Sequence, residues 1–302
     1  MNRHISLSAI GLALLAAAIP LRGAGEARPQ PPNVLFIAVD DLNDWVGHLG
    51  GHPQSHTPNI DALADQGMSF RHAYCPAPAC GPSRTALMYG IAPHKSGSYG
   101  HHGVYSPARR LPRERLPLNL VFQKNGYYTA GCGKIFHYAE PRGWDAYVSK
   151  FKGLEGTSKG LGPERPLSDW RFGPIDTDND SDTPDGKLTD WAIDQLQQKH
   201  DKPFFIALGL RKPHLPWYAP KAYFDRLDPD GIKLPPAPAD DLEDVPPAGR
   251  VFAHTILGFF KVDDHKAIVA IEDAWPQLVR AYLATSSFAD ANIGRLLDAL
   301  GN

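Results

Sequence analysis

Residues 80–90, C-G-P-S-R-T-A-L-M-Y-G, set a thiol (Cys80), a hydroxyl (Ser83) and a permanent cation (Arg84) just ahead of an apolar run, Ala86–Met88, that can turn as a helix. A nucleophile at a loop-to-helix junction has its charge stabilised by backbone N–H groups and by the helix dipole. An arginine one turn on can hold an anion by two parallel hydrogen bonds. The competing reading is a buried or disulfide-bonded cysteine beside a surface arginine. Three further groups have types that suit the same chemistry. Asp40 and Asp41 are adjacent carboxylates that repel unless a cation lies between them, and oxygen pairs suit a hard ion; a solvated turn with a helix cap is the alternative. Lys134 with His137, and Lys212 with His214, pair an ammonium with an imidazole that can reach an anion or an oxyanion. Surface placement is the alternative for both pairs.

Each of these groups follows an element that would position it. Asn33–Val39 is a continuous apolar run of strand length, as expected of a central parallel strand covered on both faces, and it stops at Asp40. Tyr127–Cys132 reads as a second strand ending before G-K-I-F-H, and F-F-I-A-L-G-L from Phe204 as a third, ending in R-K-P-H. In open α/β sheets, sites gather beyond the carboxyl ends of the strands. Helices are predicted from Thr57 to the stop at Gly67, from Leu118 to Asn125 closed by Gly126, from Asp190 to Lys199 capped by Thr189, and from Trp275 to Leu300. Strands alternating with amphipathic helices predict an α/β fold, a mostly parallel central sheet sandwiched between helices. Gly153–Asp182 reads as a long substrate-side insertion. Asp176, Asp178 and Asp180 have calcium-loop spacing there, but Ser181 replaces the required glycine and Lys187 the bidentate glutamate, so an EF-hand is rejected.

The chain has 302 residues, 21% of them charged, and a formal net charge of −2. That length supports a large core, and the balance gives no sign of a nucleic-acid partner. Residues 1–25 read as a signal peptide, with Arg3 and His4 before an apolar run, Ile5–Ile19, and small residues Gly23–Gly25. The run is too short and too poorly flanked for a stable membrane span, so the mature chain is expected to be exported, periplasmic or secreted, with a retained N-terminal anchor as the alternative. The three cysteines, an odd number, flag one thiol with a separate fate, leaving Cys75 and Cys132 to pair or stay free.

The string at Cys80 resembles the sulfatase signature C-x-P-S-R. Cys80, Pro82, Ser83, Arg84, Met88 and Gly90 match it, while Tyr89 stands where that family usually has threonine. The V-D-D ending at Asp41 resembles the family's first metal-ligand pair, and G-K-x-F-H and K-P-H resemble the iduronate-2-sulfatase-like members. The resemblance implies an alkaline phosphatase/sulfatase-like fold and a sulfuric ester hydrolase in which Cys80 is oxidised to formylglycine, whose hydrate attacks sulfur. It implies Ca²⁺, or Mg²⁺, at Asp40, Asp41 and position 80, and catalytic roles for Arg84, Lys134 and His137. Lys212 and His214 would contact the substrate's sulfate and leaving oxygen. Implied partners are a sulfated sugar, glycosaminoglycan or small sulfate ester, and a formylglycine-generating or anaerobic sulfatase-maturating enzyme. The resemblance spans residues 33–302 as the N-terminal portion of the family's catalytic domain. The later acidic ligand pair and sulfate-binding lysine are not found in this sequence. An incomplete fragment that binds sulfated glycans is therefore one alternative. A phosphomonoesterase or phosphonate hydrolase of the same superfamily is another, although those enzymes commonly place threonine or serine at the nucleophile position.

Overall fold

A computed structural model describes residues 31–100, 111, 114–161, 169–254 and 268–301. The expected signal peptide lies outside the described residues. Four strands form one parallel sheet: β1 (Val34–Val39), β2 (Tyr128–Gly133), β3 (Ala146–Val148) and β5 (Phe204–Leu210), in the order β1-β5-β2-β3. All seven residues of β5 are buried, as an apolar run flanked by two parallel neighbours should be. β1 differs from its expected central place. It pairs with β5 on one side only among the described residues, and its six residues are half-buried. A uniformly apolar run does not distinguish an interior strand from an edge strand.

Helices cover both faces because alternate residues of β5 point to opposite sides. Phe205 and Ala207 pack with Met88 and Tyr89 of α2 (Cys80–Tyr89) and with Leu118 and Phe122 of α4 (Leu118–Lys124). Leu208 and Leu210 pack with Leu188 and Ala192 of α5 (Pro184–Leu196) and with Ala289, Ile293 and Leu296 of α8 (Ala274–Gly301). Between α2 and α4 lies the single-turn α3 (Pro93–Ser96). The expected α/β sandwich is thus observed. α1 (Pro58–Gln66) is tied to α8 by Asp290, whose carboxylate accepts from the backbone N–H of Asn59 and Ile60, at 3.3 and 2.8 Å. Its Ile60 reaches the cluster that contains Ile37 and Val39.

Two expectations need correcting. The helix placed at Asp190–Lys199 begins six residues earlier, at Pro184: Thr183 accepts from the Gly186 N–H at 3.1 Å, and Pro184 takes the first turn. Thr189 is a buried interior residue whose hydroxyl donates to the Asp185 carbonyl. The stretch read as an insertion contains β4 (Phe172–Ile175), which pairs in parallel with β6 (Trp217–Pro220) in a second, two-stranded sheet. Asp180 there accepts from the Tyr223 hydroxyl at 2.6 Å, a structural contact to α6 (Lys221–Asp225). A further helix, α7, spans Pro247–His254. No helix among the described residues is long and apolar enough to cross a membrane.

Candidate active site

The site lies beyond the carboxyl ends of β1, β2 and β5. Asp40 follows β1 directly, and its N–H donates to the Leu210 carbonyl at 3.2 Å, so the sheet's pairing fixes its backbone. Its side chain is only 3% exposed. A carboxylate in that position must be paired. Arg84 donates to Asp40 Oδ1 from Nε at 3.2 Å and from Nη2 at 2.7 Å, and the Lys134 ammonium donates to Oδ2. Burial works against ionisation of Asp40 and is the largest single influence, but Arg84 and Lys134 together outweigh it and hold the carboxyl below its ordinary pKa.

Two glycines bring Lys134 there. Gly133 ends β2 with φ of +74°, and a Cβ on it would run into the Gly209 carbonyl. A Cβ on Gly209 would in turn strike the Lys134 backbone. The strands can therefore close, and the Lys134 N–H donates to the Gly209 carbonyl at 2.8 Å. Arg84 sits one turn into α2 and also donates to the carbonyls of Lys134 and Ile135, joining the motif helix to the strand end.

Cys80 is the first residue of α2, and its sulfur lies 3.3 Å from His137 Nδ1. Burial pushes the thiol above its ordinary pKa. Lys134 pulls it down, Asp40 and Asp41 push it up, and the raised value prevails. At neutral pH this group is a thiol and a poor nucleophile in its own right. Cys75 is exposed, and Cys132 is buried with its sulfur 3.4 Å from the Leu188 carbonyl. The sequence had left their pairing open, and they do not pair.

The R-K-P-H segment after β5 reaches the site unevenly. His214 Nε2 lies 3.8 Å from Asp41 Oδ2, and burial followed by the nearby Lys134 charge holds its pKa below the ordinary value, so the ring is neutral at pH 7. Lys212, expected at the substrate's sulfate, is turned aside. Its ammonium donates to the Pro216 carbonyl and lies 5.9 Å from the Tyr218 ring centre, in a neighbouring cavity shared with Asp185, Glu155 and Arg171. Cys80, Arg84, Lys134, His137, Asp40, Asp41 and His214 are thus brought together, and Lys212 is not.

Two residues that the sequence did not single out brace the loops after β5 and β1. Buried Asp185 accepts from the backbone N–H groups of Arg211 and Lys212 at 3.0 and 2.8 Å. The Tyr282 hydroxyl donates to the Asp41 carbonyl at 2.7 Å and accepts from the Asn43 N–H at 2.9 Å. Asp41 has φ of +59°, a conformation that favours Gly, Asn and Asp, so the tyrosine braces a bend the chain would not otherwise prefer. The Thr183-Pro184-Asp185 cap signal was the one local sign of the first; nothing local marks the second.

Asp40 and Asp41 are oxygen donors of the kind a hard divalent cation takes. Yet no group of three His, Cys, Asp or Glu able to hold a metal ion occurs among the described residues, and both oxygens of Asp40 are engaged by Arg84 and Lys134. The residues present fit a divalent cation in part: two ligands, against the about six to eight oxygens a calcium ion collects.

A family model described as Sulfatase matches residues 32–302. The chain is 34% identical over 316 residues to a sulfatase of Formosa agariphila, covering 97% of this chain and 60% of the relative. It is 29% identical to human iduronate 2-sulfatase, covering 96% of this chain and 56% of that protein. It therefore spans somewhat over half the length of the curated relatives it matches. Among solved structures, a protein in complex with its substrate D-glucosamine-2-N,6-O-disulfate overlays with TM-score 0.61 at 23% identity, over 90% of this chain and 62% of that one. The phosphonate monoester hydrolase of Agrobacterium radiobacter overlays with TM-score 0.67 at 19% identity, over 90% and 60%. These two overlays establish the fold, and the matched family model, spanning the Cys80 motif and all three strand ends, places the chain in the sulfatase family.

Proposed function

We propose that this chain carries the nucleophile half of a sulfuric ester hydrolase acting on a sulfated sugar. The reading rests on one observation: a cysteine at a helix start, 3.3 Å from an imidazole, lies beside a buried aspartate gripped by an arginine and a lysine. The raised pKa of Cys80 disfavours a thiolate mechanism, and the C-x-P-S-R string supports prior oxidation of Cys80 to formylglycine by a maturating enzyme. Position 80 as formylglycine supplies a hydrated aldehyde for attack on sulfur. Asp40 and Asp41 would contribute two ligands to a divalent cation, Ca²⁺ or Mg²⁺, which when bound supplies Lewis-acid polarisation of the sulfate.

The chain's own residues do the rest. Arg84 and the helix start orient the nucleophile and offset its charge. Lys134 lies where it can offset charge on the sulfate. His137 is close enough to position 80 to take a proton from it. Neutral His214, whose Nδ1–H is donated to the Leu215 carbonyl, presents Nε2 to the site as an acceptor. Lys212 joins the substrate contacts only by releasing the Pro216 carbonyl. Residues 1–25 act as an export signal, and residues 33–302 form the N-terminal portion of the catalytic domain.

The two-ligand metal set favours one other reading, a catalytically incomplete glycan-binding chain. A phosphate or phosphonate hydrolase is disfavoured by the cysteine in C-x-P-S-R. Mass spectrometry of the tryptic peptide carrying position 80, from protein co-produced with a formylglycine-generating enzyme, tests the proposal. A thiol-to-aldehyde mass change with sulfate release supports it. An aldehyde without release supports the incomplete chain, and an intact thiol overturns the hydrolase.

A further inference from the structure

Four of the chain's six tryptophans line a single cavity of about 240 Å³. Trp45, Trp170, Trp217 and Trp275 are joined there by Tyr282 and Asn43, with no charged side chain in the wall among the described residues. The rings meet edge to face: Trp170 on Trp217 at 5.6 Å and 72°, Trp217 on Tyr282 at 5.7 Å and 80°, Trp45 on Tyr282 at 5.3 Å and 89°. Such steps leave ring faces presented in different directions instead of stacked away, and all five aromatic residues are only partly buried. Core tryptophans of this chain behave otherwise: Trp144 is 8% exposed and stacks on Phe205 at 5.9 Å.

The cavity adjoins the candidate active site. Asn43 lines both it and the groove that holds Asp40, Asp41, Cys80 and Arg84. Tyr282, in its wall, bonds the Asp41 carbonyl directly. Among the described residues the indole N–H groups of Trp45 and Trp170 meet no protein acceptor, whereas that of Trp217 donates to the Pro213 carbonyl at 2.5 Å. The wall therefore combines exposed π faces with spare N–H donors and an amide. That combination suits a ring with one apolar C–H face and a rim of hydroxyls, because the negative face of an indole attracts polarised C–H groups while its edge can donate. A purely aryl ligand would leave those donors unused. The volume, below the about 300–1,000 Å³ typical of drug-sized ligands, corresponds to one ring.

We propose that this cavity binds a neutral pyranose ring, the sugar next to the sulfated one, by stacking on Trp170. The inference rests on the adjoining groove being the sulfate-ester site and adds to it a position that reads sugar where no sulfate is needed. The test titrates the full chain with the unsulfated disaccharides cellobiose and lactose, following tryptophan fluorescence and saturation-transfer NMR, with sulfate release measured separately. Saturable quenching by at least one disaccharide is expected, weakened at least about fivefold in Trp170→Ala and less than about twofold in Trp170→Phe, with circular dichroism unchanged. Absence of saturation in the native chain, equal binding by Trp170→Ala, or binding of 4-nitrophenol but of neither disaccharide overturns the inference. Sulfate release without disaccharide binding sinks this inference alone; disaccharide binding without sulfate release sinks the hydrolase and leaves the sugar site standing.

Discussion

The two basic clusters at the site are held in opposite ways. Arg84 and Lys134 grip one buried carboxylate, so both cations there are held directly by a charge inside the protein. Lys212 and His214 are engaged by carbonyls of their own loop, Pro216 and Leu215; the loop's backbone is tied to the Asp185 carboxylate, and His214 Nε2 lies 3.8 Å from Asp41. Charge-to-charge hydrogen bonds are stronger than charge-to-carbonyl ones. The first cluster is therefore an ionic lattice that stands without a ligand, with one positive charge left over, while the second holds its cation on a partner that an anion can replace.

Perturbing each cluster sharpens that contrast. The largest effect is expected from Arg84→Ala, which leaves Asp40 buried with only Lys134: a loss of about 3–5 kcal/mol of stability, read by urea unfolding, as for a broken buried ion pair. A loss under about 1 kcal/mol would show that Asp40 escapes to solvent and that the lattice is not closed. Asp185→Ala removes the acceptor of two backbone N–H groups and should cost about 1–3 kcal/mol while leaving the Asp40 lattice intact; an unchanged midpoint would mean the loop is held by its own prolines instead. The exposed pair Lys221 and Asp225 serves as the baseline, and Lys221→Ala should change stability by less than about 0.5 kcal/mol.

The smallest signal is a titration. Burial lowers the Lys212 pKa to about 8, with Asp185 opposing the shift. The folded value lies below the unfolded one, so the native chain binds fewer protons across that interval. The ammonium's burial thus costs stability below pH 8, and the cost fades as pH rises through 8 toward the unfolded value. NMR of the labelled lysines should give one resonance, missing in Lys212→Met, with a midpoint near pH 8. A midpoint at the ordinary lysine value would place Lys212 in solvent and erase the difference between the clusters.

Much of the site was legible in sequence because these parts each end an apolar run: Asp40 after Val39, Lys134 after Gly133, the R-K-P-H segment after Leu210. Strand ends converge by the geometry of a parallel sheet, whatever the intervening loops do. The orientation of Lys212 was not legible, because a four-carbon stem can reach the site or turn from it, and the choice is made by Pro216 and Tyr218. Nor was the edge position of β1, which is as apolar as the interior β5. The tryptophan-lined cavity was invisible for another reason: Trp45, Trp170, Trp217 and Trp275 lie on four separate segments, and no local period connects them.

The account depends most on position 80 being the nucleophile. Sulfate release from a sulfated sugar, compared between the chain co-produced with a formylglycine-generating enzyme and its Cys80→Ala counterpart, tests that directly. Release by the first and none above background by the second is the predicted result; equal release by both would contradict it.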